Sequence, residues 1–277
     1  MKEYCNWMVL IAAMASGGCV TESTEQPLSV MTFNIRYDNP NDGVDAWESR
    51  SEWVTSIVNS SGAHVVGLQE ALKHQINDLV NDDSPFRWIG VGRTDGLSGG
   101  EYSPILYDPD RLELLDWHTK WLSEFPDSVG ISGWDAALPR IATIASFVDR
   151  ISADTIRVIN THFDHRGEEA REKSADLIGG WSINPSIVLG DFNIESTTPA
   201  YTSLTVTHGL SDAAILAEMA ALGTFRTFDP AAQVSRRIDY VFLTSGYRVL
   251  DYQVLSPLRN GRYPSDHLPV VVQIERK

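Results

Sequence analysis

Cysteine is nearly absent. The 277-residue chain has two, Cys5 and Cys19, and both fall in its first twenty residues. The remainder therefore holds neither a disulfide framework nor a thiolate zinc site. Lysine is scarce as well, at five of the 22 basic residues. Against them stand 37 acids, 22 of them Asp, for a net charge of −15. So negative a surface repels polyphosphate chains and disfavours a tight, unspecific nucleic-acid binder. It leaves room for a phosphate substrate that reaches the protein through a metal ion. Asp-rich, Lys-poor composition accompanies saline habitats, and equally accompanies lineage drift. No apolar run approaches the roughly 20 residues that span a bilayer. With 43% hydrophobic residues the chain fits a soluble globular body, neither disordered nor polytopic. Internal repeats, low-complexity stretches and an interior linker are also missing.

The longest early apolar stretch, Met8 to Ala15, suits the core of a secretory signal. Lys2 supplies its positive end, blunted by Glu3. Ala13-Met14-Ala15 is an A-x-A-like cleavage site, and Ser16-Gly17-Gly18-Cys19 resembles a bacterial lipobox with Ser in place of the usual Leu. The expected layout is a signal peptide over 1–19 with that lipobox, a polar tether over 20–27, and one domain over 28–277. The product is then exported: a lipoprotein anchored to a membrane only through Cys19, a periplasmic protein, or a freely secreted one. A functionless N-terminal extension is the plain alternative. Removing residues 1–18 deletes one Lys and one Glu, so the charge belongs to the folded body.

In that body short apolar runs recur: Leu28–Ile35, Ala63–Leu68, Phe86–Val91, Pro104–Tyr107, Ile141–Val148, Ile156–Thr161, Ser186–Leu189, Ile238–Leu243, Val249–Leu255 and Leu268–Ile274. Several are almost continuous in Val, Ile, Leu and Phe, as strands buried on both faces are. Helical spacing appears between them. Ser49–Ser60 puts Trp53, Ile57 and Val58 on one side. Leu72, Ile76, Leu79 and Val80 make a second stripe, and Ala170, Ser174, Leu177, Ile178 and Trp181 a third. One α/β domain with sheets inside and helices outside is the economical reading.

Polar residues gather where the runs end: Asn34 after the first, Glu70 in Leu68-Gln69-Glu70, His162 in Asn160-Thr161-His162, Asp191 and Asn193 in Gly190-Asp191-Phe192-Asn193, Asp239 in Arg237-Ile238-Asp239-Tyr240, and Asp266-His267 before the last run. A single Asn or Asp at a strand end is usually a turn former. Six such clusters in this order resemble the endonuclease/exonuclease/phosphatase superfamily, whose members include pancreatic-type deoxyribonuclease, apurinic endonucleases, inositol polyphosphate 5-phosphatases, neutral sphingomyelinases and poly(A) deadenylases. The resemblance runs from about Val30 to Ile274. It implies a four-layer α/β sandwich of two packed mixed β-sheets flanked by helices.

It also implies a divalent-metal-dependent phosphoesterase using Mg²⁺ or Mn²⁺, hard cations that take oxygen ligands. Glu70 would be the main metal carboxylate with Asn34 beside it, and Asp266 would orient His267 or approach a second metal. Asp191 would position or deprotonate the attacking water, and Asn193 would hold a phosphate oxygen. His267 would bond the phosphate or act as base, oriented by Asp239. His162 matches a second catalytic His, which in the pancreatic-type enzyme has a Glu partner. Glu101 stands in a similar place, so two pairs are expected: His162–Glu101 and His267–Asp239. Glu101 as a solvated loop carboxylate is the alternative.

The loops resemble an exported bacterial branch of the superfamily with mostly unassigned substrates, and strand-end loops are where specificity resides. Arg140 and Arg166 are candidate phosphate clamps, Trp134 a stacking surface, and Arg36 and Asp164 further substrate-binding candidates. Trp134 could instead pack, and Arg166 could pair with Glu168 or Glu169. The scattered Arg and few Lys favour a small or medium phosphoester over duplex DNA, with no stable nucleic-acid complex and no obligate protein partner. An exported nuclease acting on single strands or nucleotides is the nearest alternative. A carbohydrate-active hydrolase with paired carboxylates or a non-catalytic module would not require this His and Asn set.

Overall fold

The computed structural model of the chain describes residues 26–219, 222–229, 231–234 and 236–277. The signal, the lipobox with Cys19 and most of the tether lie outside them. Among the described residues twelve strands follow in order: β1 (Leu28–Asn34), β2 (Val65–Gln69), β3 (Arg87–Ile89), β4 (Ile105–Tyr107), β5 (Leu112–Trp121), β6 (Ile141–Asp149), β7 (Thr155–His162), β8 (Ser186–Asp191), β9 (Ser211–Asp212), β10 (Asp239–Leu243), β11 (Tyr247–Val254) and β12 (Val270–Arg276). The α-helices longer than a single turn that flank them are α1 (Trp47–Ser60), α2 (Lys73–Leu79) and α3 (Glu168–Trp181). The strands form two sheets of six, in the orders β11-β12-β1-β2-β4-β3 and β5-β6-β7-β8-β10-β9. Both sheets are mixed: β1–β2 and β7–β8 run parallel, and the other pairs antiparallel.

Alternation along the strands builds three apolar spaces, because successive side chains point to opposite faces. Val30, Val65, Ile105, Phe147, Val158, Leu189, Val241 and Val272 fill the space between the sheets. Their neighbours Met31, Phe33, Val66 and Leu68 pack outward against Val54 and Val58 of α1 and Ile76 of α2. Ile159, Val188, Tyr240 and Phe242 pack outward against Ala175 and Ile178 of α3. These layers make the four-layer sandwich.

A polar clamp ties the sheets near one end. Gln69 donates to Asn160 Oδ1 at 2.7 Å, and Asn160 Nδ2 donates to the carbonyls of Leu68 and Pro104 at 2.8 Å each. Gly67 makes room for it: a Cβ there would lie 1.8 Å from Leu189 Cδ1 and 2.6 Å from Asn160 Oδ1. Asn160→Ala removes several buried hydrogen bonds together. It is expected to cost about 3 kcal/mol in urea denaturation, and an unchanged midpoint would show that the clamp contributes nothing to stability.

All ten apolar runs coincide with strands. β5 went unread because it is an edge strand whose middle faces solvent, so it carries no continuous apolar run, and β9 has only two residues. On α1 the buried stripe is Trp47, Arg50, Val54 and Val58, and the expected Trp53 and Ile57 flank it half-buried.

Candidate active site

The alternation that fills the inter-sheet space continues into polar residues at the clamped end. Val30, Thr32 and Asn34 share one face of β1, and Val158, Asn160 and His162 one face of β7. Ile187, Leu189 and Asp191 do so on β8, and Leu243, Val241 and Asp239 on β10. His162 and Asp239 both stand opposite Asp191 in strand register. One imidazole and two carboxylates thus form a row across three neighbouring strands. Gly190 permits this approach, since a Cβ there would sit 2.1 Å from the Thr161 carbonyl oxygen.

Past the strand ends the chain turns sharply. Arg36, Glu70 and Asn193 have φ of 58°, 62° and 50°, a left-handed region that non-glycine residues seldom adopt and that clusters at functional sites. Asn34 Nδ2 donates to Glu70 Oε1 at 3.2 Å and to Asp191 Oδ2 at 3.0 Å. One amide therefore bridges carboxylates carried by different sheets. The Tyr37 amide donates to Glu70 Oε2 at 3.2 Å. Arg36 Nη1 lies 4.0 Å from both Glu70 Oε2 and Asp266 Oδ2, while its Nε and Nη2 donate to Asp42 at 3.0 Å.

The expected His267–Asp239 pair is present, with Nδ1 and Oδ2 2.9 Å apart. His267 Nε2 lies 3.7 Å from Asp191 Oδ2. The expected His162–Glu101 pair is not formed. Both Glu101 oxygens accept hydrogen bonds from Arg93, at 2.7 and 2.8 Å. His162 Nε2 instead faces Asn193 Nδ2 at 3.1 Å and Asp191 Oδ2 at 3.4 Å. Glu101 is no solvated loop carboxylate either: its side chain is 17% exposed and it borders the same cleft.

Burial separates these groups electrostatically. Burial first, then the charge of Asp239, pushes the Asp191 carboxyl up to about 7, against the pull of His267 and the Asn34 hydrogen bond. Burial also raises Asp266, and Glu70 adds to the effect. Burial works against charge on His267, but Asp239 and Asp191 outweigh it and raise the imidazole to about 10. His162 has no such support. Burial, with Arg140 and Arg93 adding repulsion, holds it well below its ordinary value. The two histidines are thus a cation and a neutral ring.

Two groups of side chains gather closely enough to be weighed as metal sites. Asp191, Asp239 and His267 are buried and offer ligand atoms within 4.8 Å of one another, but the charged His267 imidazole has no lone pair to give. Glu70 and Asp266 supply carboxylate oxygens, which a hard cation prefers, while Asn34 turns its Nδ2 toward Glu70 and Asp191 and its Oδ1 accepts from the Arg36 amide. Crowded carboxylates deprived of water require a positive charge, and Arg36 hydrogen-bonds to neither Glu70 nor Asp266.

A cleft of about 490 Å³ joins most of these residues. Of the substrate-binding candidates, Arg36 and Arg140 line it. Arg140 is buried, with Nε on Asp164 at 3.3 Å, Nη2 on His165 Nδ1 at 3.0 Å, and Nη1 without a partner. Asp164 accepts from the amides of Arg166 and Gly167. Although burial opposes its charge, these donors lower it to about 2, and it acts as a turn anchor that holds Arg140. Arg166 is exposed, Trp134 is half-buried with its amide on Glu124, and neither borders the cleft. The sequence reading missed Tyr37, Leu138, His165, Phe225, Arg236 and Ile238, which do. The signal was partly there, since His165 and Arg236 sit within three residues of His162 and Asp239. Arg50 was also missed as a buried clamp donating to the carbonyls of Asp45, Ile35, Arg36 and Pro264.

The sequence profile of the Endonuclease/Exonuclease/phosphatase family matches residues 31–267, and the chain belongs to that family. No functionally curated protein matches it significantly. A family member from Bacteroides vulgatus is 38% identical, with a TM-score of 0.83 over 91% of this chain and 100% of that one. A Bacteroides thetaiotaomicron mannosyl-6-phosphatase is 33% identical, with a TM-score of 0.82 over 90% of this chain and 99% of that one. The human Nocturnin catalytic domain, 19% identical with a TM-score of 0.69 over 91% and 94% of the chains, shares the fold. Members of the family are phosphoester hydrolases.

Proposed function

We propose that this protein is a Mg²⁺- or Mn²⁺-dependent phosphoesterase that acts on a small phosphate ester, a sugar phosphate before a polynucleotide. The observation that carries this reading is the row His162–Asp191–Asp239, whose His162 and Asp191 line one cleft with Glu70, Asp266 and His267. Glu70 and Asp266 would hold the cation, with Asn34 beside them. When bound, it neutralises phosphate oxygens and stabilises the departing one.

The chain's own groups supply the rest. Asp191, fixed by Asn34 and by the Asn193 amide at 3.0 Å, takes the proton of the attacking water. A carboxylate raised to about 7 is a competent base near neutrality. His267, kept charged by Asp239, donates from Nε2 to a phosphate oxygen. Asn193 Nδ2, 3.2 Å from the Phe163 carbonyl and 3.1 Å from His162 Nε2, positions neutral His162 beside the reacting row. Burial of the cleft floor excludes competing water.

Support for a small substrate comes from the net charge of −15, which disfavours long polyanions, and from the likeness to the mannosyl-6-phosphatase over 90% of the chain. Export through the N-terminal segment, lipidated at Cys19 or freely secreted, belongs to the same proposal. The test is a panel of p-nitrophenyl phosphate, bis-p-nitrophenyl phosphate, hexose phosphates and oligonucleotides with each metal. Turnover of hexose phosphates above oligonucleotides is expected. No turnover on any phosphoester sinks the enzyme reading, and preference for oligonucleotides sinks the substrate reading.

A further inference from the structure

The cleft wall beyond the reacting row is built by residues that the phosphate chemistry does not use. Phe225 forms backbone bridges with both Arg236 and His267. The amides of Thr224 and Phe225 donate to the Arg236 carbonyl at 2.8 and 3.0 Å. Thr224 Oγ1 in turn accepts from the amides of Ile238 and Asp239 at 3.1 Å each. The Phe225 ring stands 5.0 Å from the His267 imidazole at 64°. This short segment therefore sets an aromatic ring against the His267 imidazole and brings Arg236 to the lining of the same cleft.

Arg236 is held by one bond, from Nε to Glu195 Oε1 at 3.0 Å. The two side chains are 47% and 52% exposed. Among the described residues its terminal nitrogens have no partner. An ion pair so exposed contributes little to stability. Its chemistry is specific, however. The guanidinium offers spare N–H donors, and the adjoining carboxylate offers acceptors. Hydroxyl groups both donate and accept, so neighbouring hydroxyls on a ring match such a pair. A second phosphate or a carboxylate would meet the charge of Glu195. Phe225 adds an apolar surface for the C–H face of the ring.

We propose that Phe225, Arg236 and Glu195 form a leaving-group subsite for a polyhydroxylated ring, which makes a sugar monophosphate the substrate. The inference rests on the phosphoesterase reading above and adds to it the residues that select the leaving group. A site that hydrogen-bonds hydroxyls discriminates strongly against analogues that lack them.

The experiment compares kcat/KM for mannose 6-phosphate with kcat/KM for p-nitrophenyl phosphate in the wild type, Arg236→Ala and Glu195→Ala. The sugar-over-aryl ratio is expected to fall at least about tenfold in each variant, mostly through KM. An unchanged ratio overturns the subsite. So does a Glu195→Gln variant that gains fructose 1,6-bisphosphate activity over mannose 6-phosphate, because that result marks Arg236 as an anion site. A wild type inactive on every phosphoester strikes the phosphoesterase reading instead. Calorimetric binding of mannose 6-phosphate against inorganic phosphate then reads the subsite without turnover. Arg236→Ala should weaken the first more than the second, and equal weakening, or none, overturns the proposal.

Discussion

Replacing Asp191 with asparagine is expected to lower turnover about a thousandfold while making the protein more stable at alkaline pH. The amide preserves shape, but its NH2 cannot accept, so it keeps only one of the two bonds that Asn34 and the Asn193 amide donate to the carboxylate, and it cannot take a proton from water. The stability gain follows from linkage. In the unfolded chain an Asp titrates near 3.9. In the fold, burial and Asp239 push this one up to about 7. The folded state thus binds a proton that the unfolded state has lost, and the contribution to stability declines as pH rises from about 4 to about 7. The variant does not pay this penalty. With chelator present, its melting temperature minus that of the wild type should be more positive at pH 8 than at pH 5. The same groups shape the wild-type rate, which should rise with pH as Asp191 ionises near 7 and fall as His267, raised to about 10, loses its proton. A variant that keeps full activity, or a difference in melting temperature that shrinks with pH, would contradict this role for Asp191.

The second large effect concerns the cation. EDTA should reduce activity to background, and Mg²⁺ or Mn²⁺ should restore it. Glu70→Gln should raise the half-saturating metal concentration at least about tenfold. The two Glu70 oxygens accept from the Asn34 side chain and the Tyr37 amide, so the isosteric amide keeps one of these bonds, turns its NH2 toward the other donor, and removes the charge. Binding to the folded state alone also raises the melting temperature. That increment should be present in the wild type and diminished in Glu70→Gln, a readout independent of turnover. Undiminished activity in EDTA, together with an identical metal response in the variant, would remove Glu70 from the centre.

The fold was legible where burial was two-sided. Val, Ile and Leu runs mark β1, β7 and β8 because both faces of those strands are covered. β5 was silent because one face is wet, and solvent imposes no pattern. The site was legible where residues extend a strand's inner face, as His162, Asp191 and Asp239 do. Glu101 shows the limit. Its position near a strand start fits a His partner, but Arg93, eight residues earlier in a loop with no periodic signature, takes both its oxygens. Trp134 and Arg166 were chosen by residue type alone, and nothing local fixed the side of the loop they occupy. Phe225 was unreadable because only backbone bridges to Arg236 and His267 bring it to the cleft, while Arg236 had only its nearness to Asp239 to mark it.

Asn34 touches Glu70 from its own sheet and Asp191 from the opposite one. The centre is therefore a seam between two halves of the molecule rather than a feature of either. Sliding one sheet over the other by a fraction of an ångström alters the Glu70–Asp191 spacing by a similar amount. A substitution deep in the inter-sheet packing, such as Gly67→Ala against Leu189, should then lower catalytic rate at temperatures where the protein is still folded. Activity in this architecture is a gauge of internal alignment, and some residues that look like active-site losses in a mutational screen will lie far from the substrate.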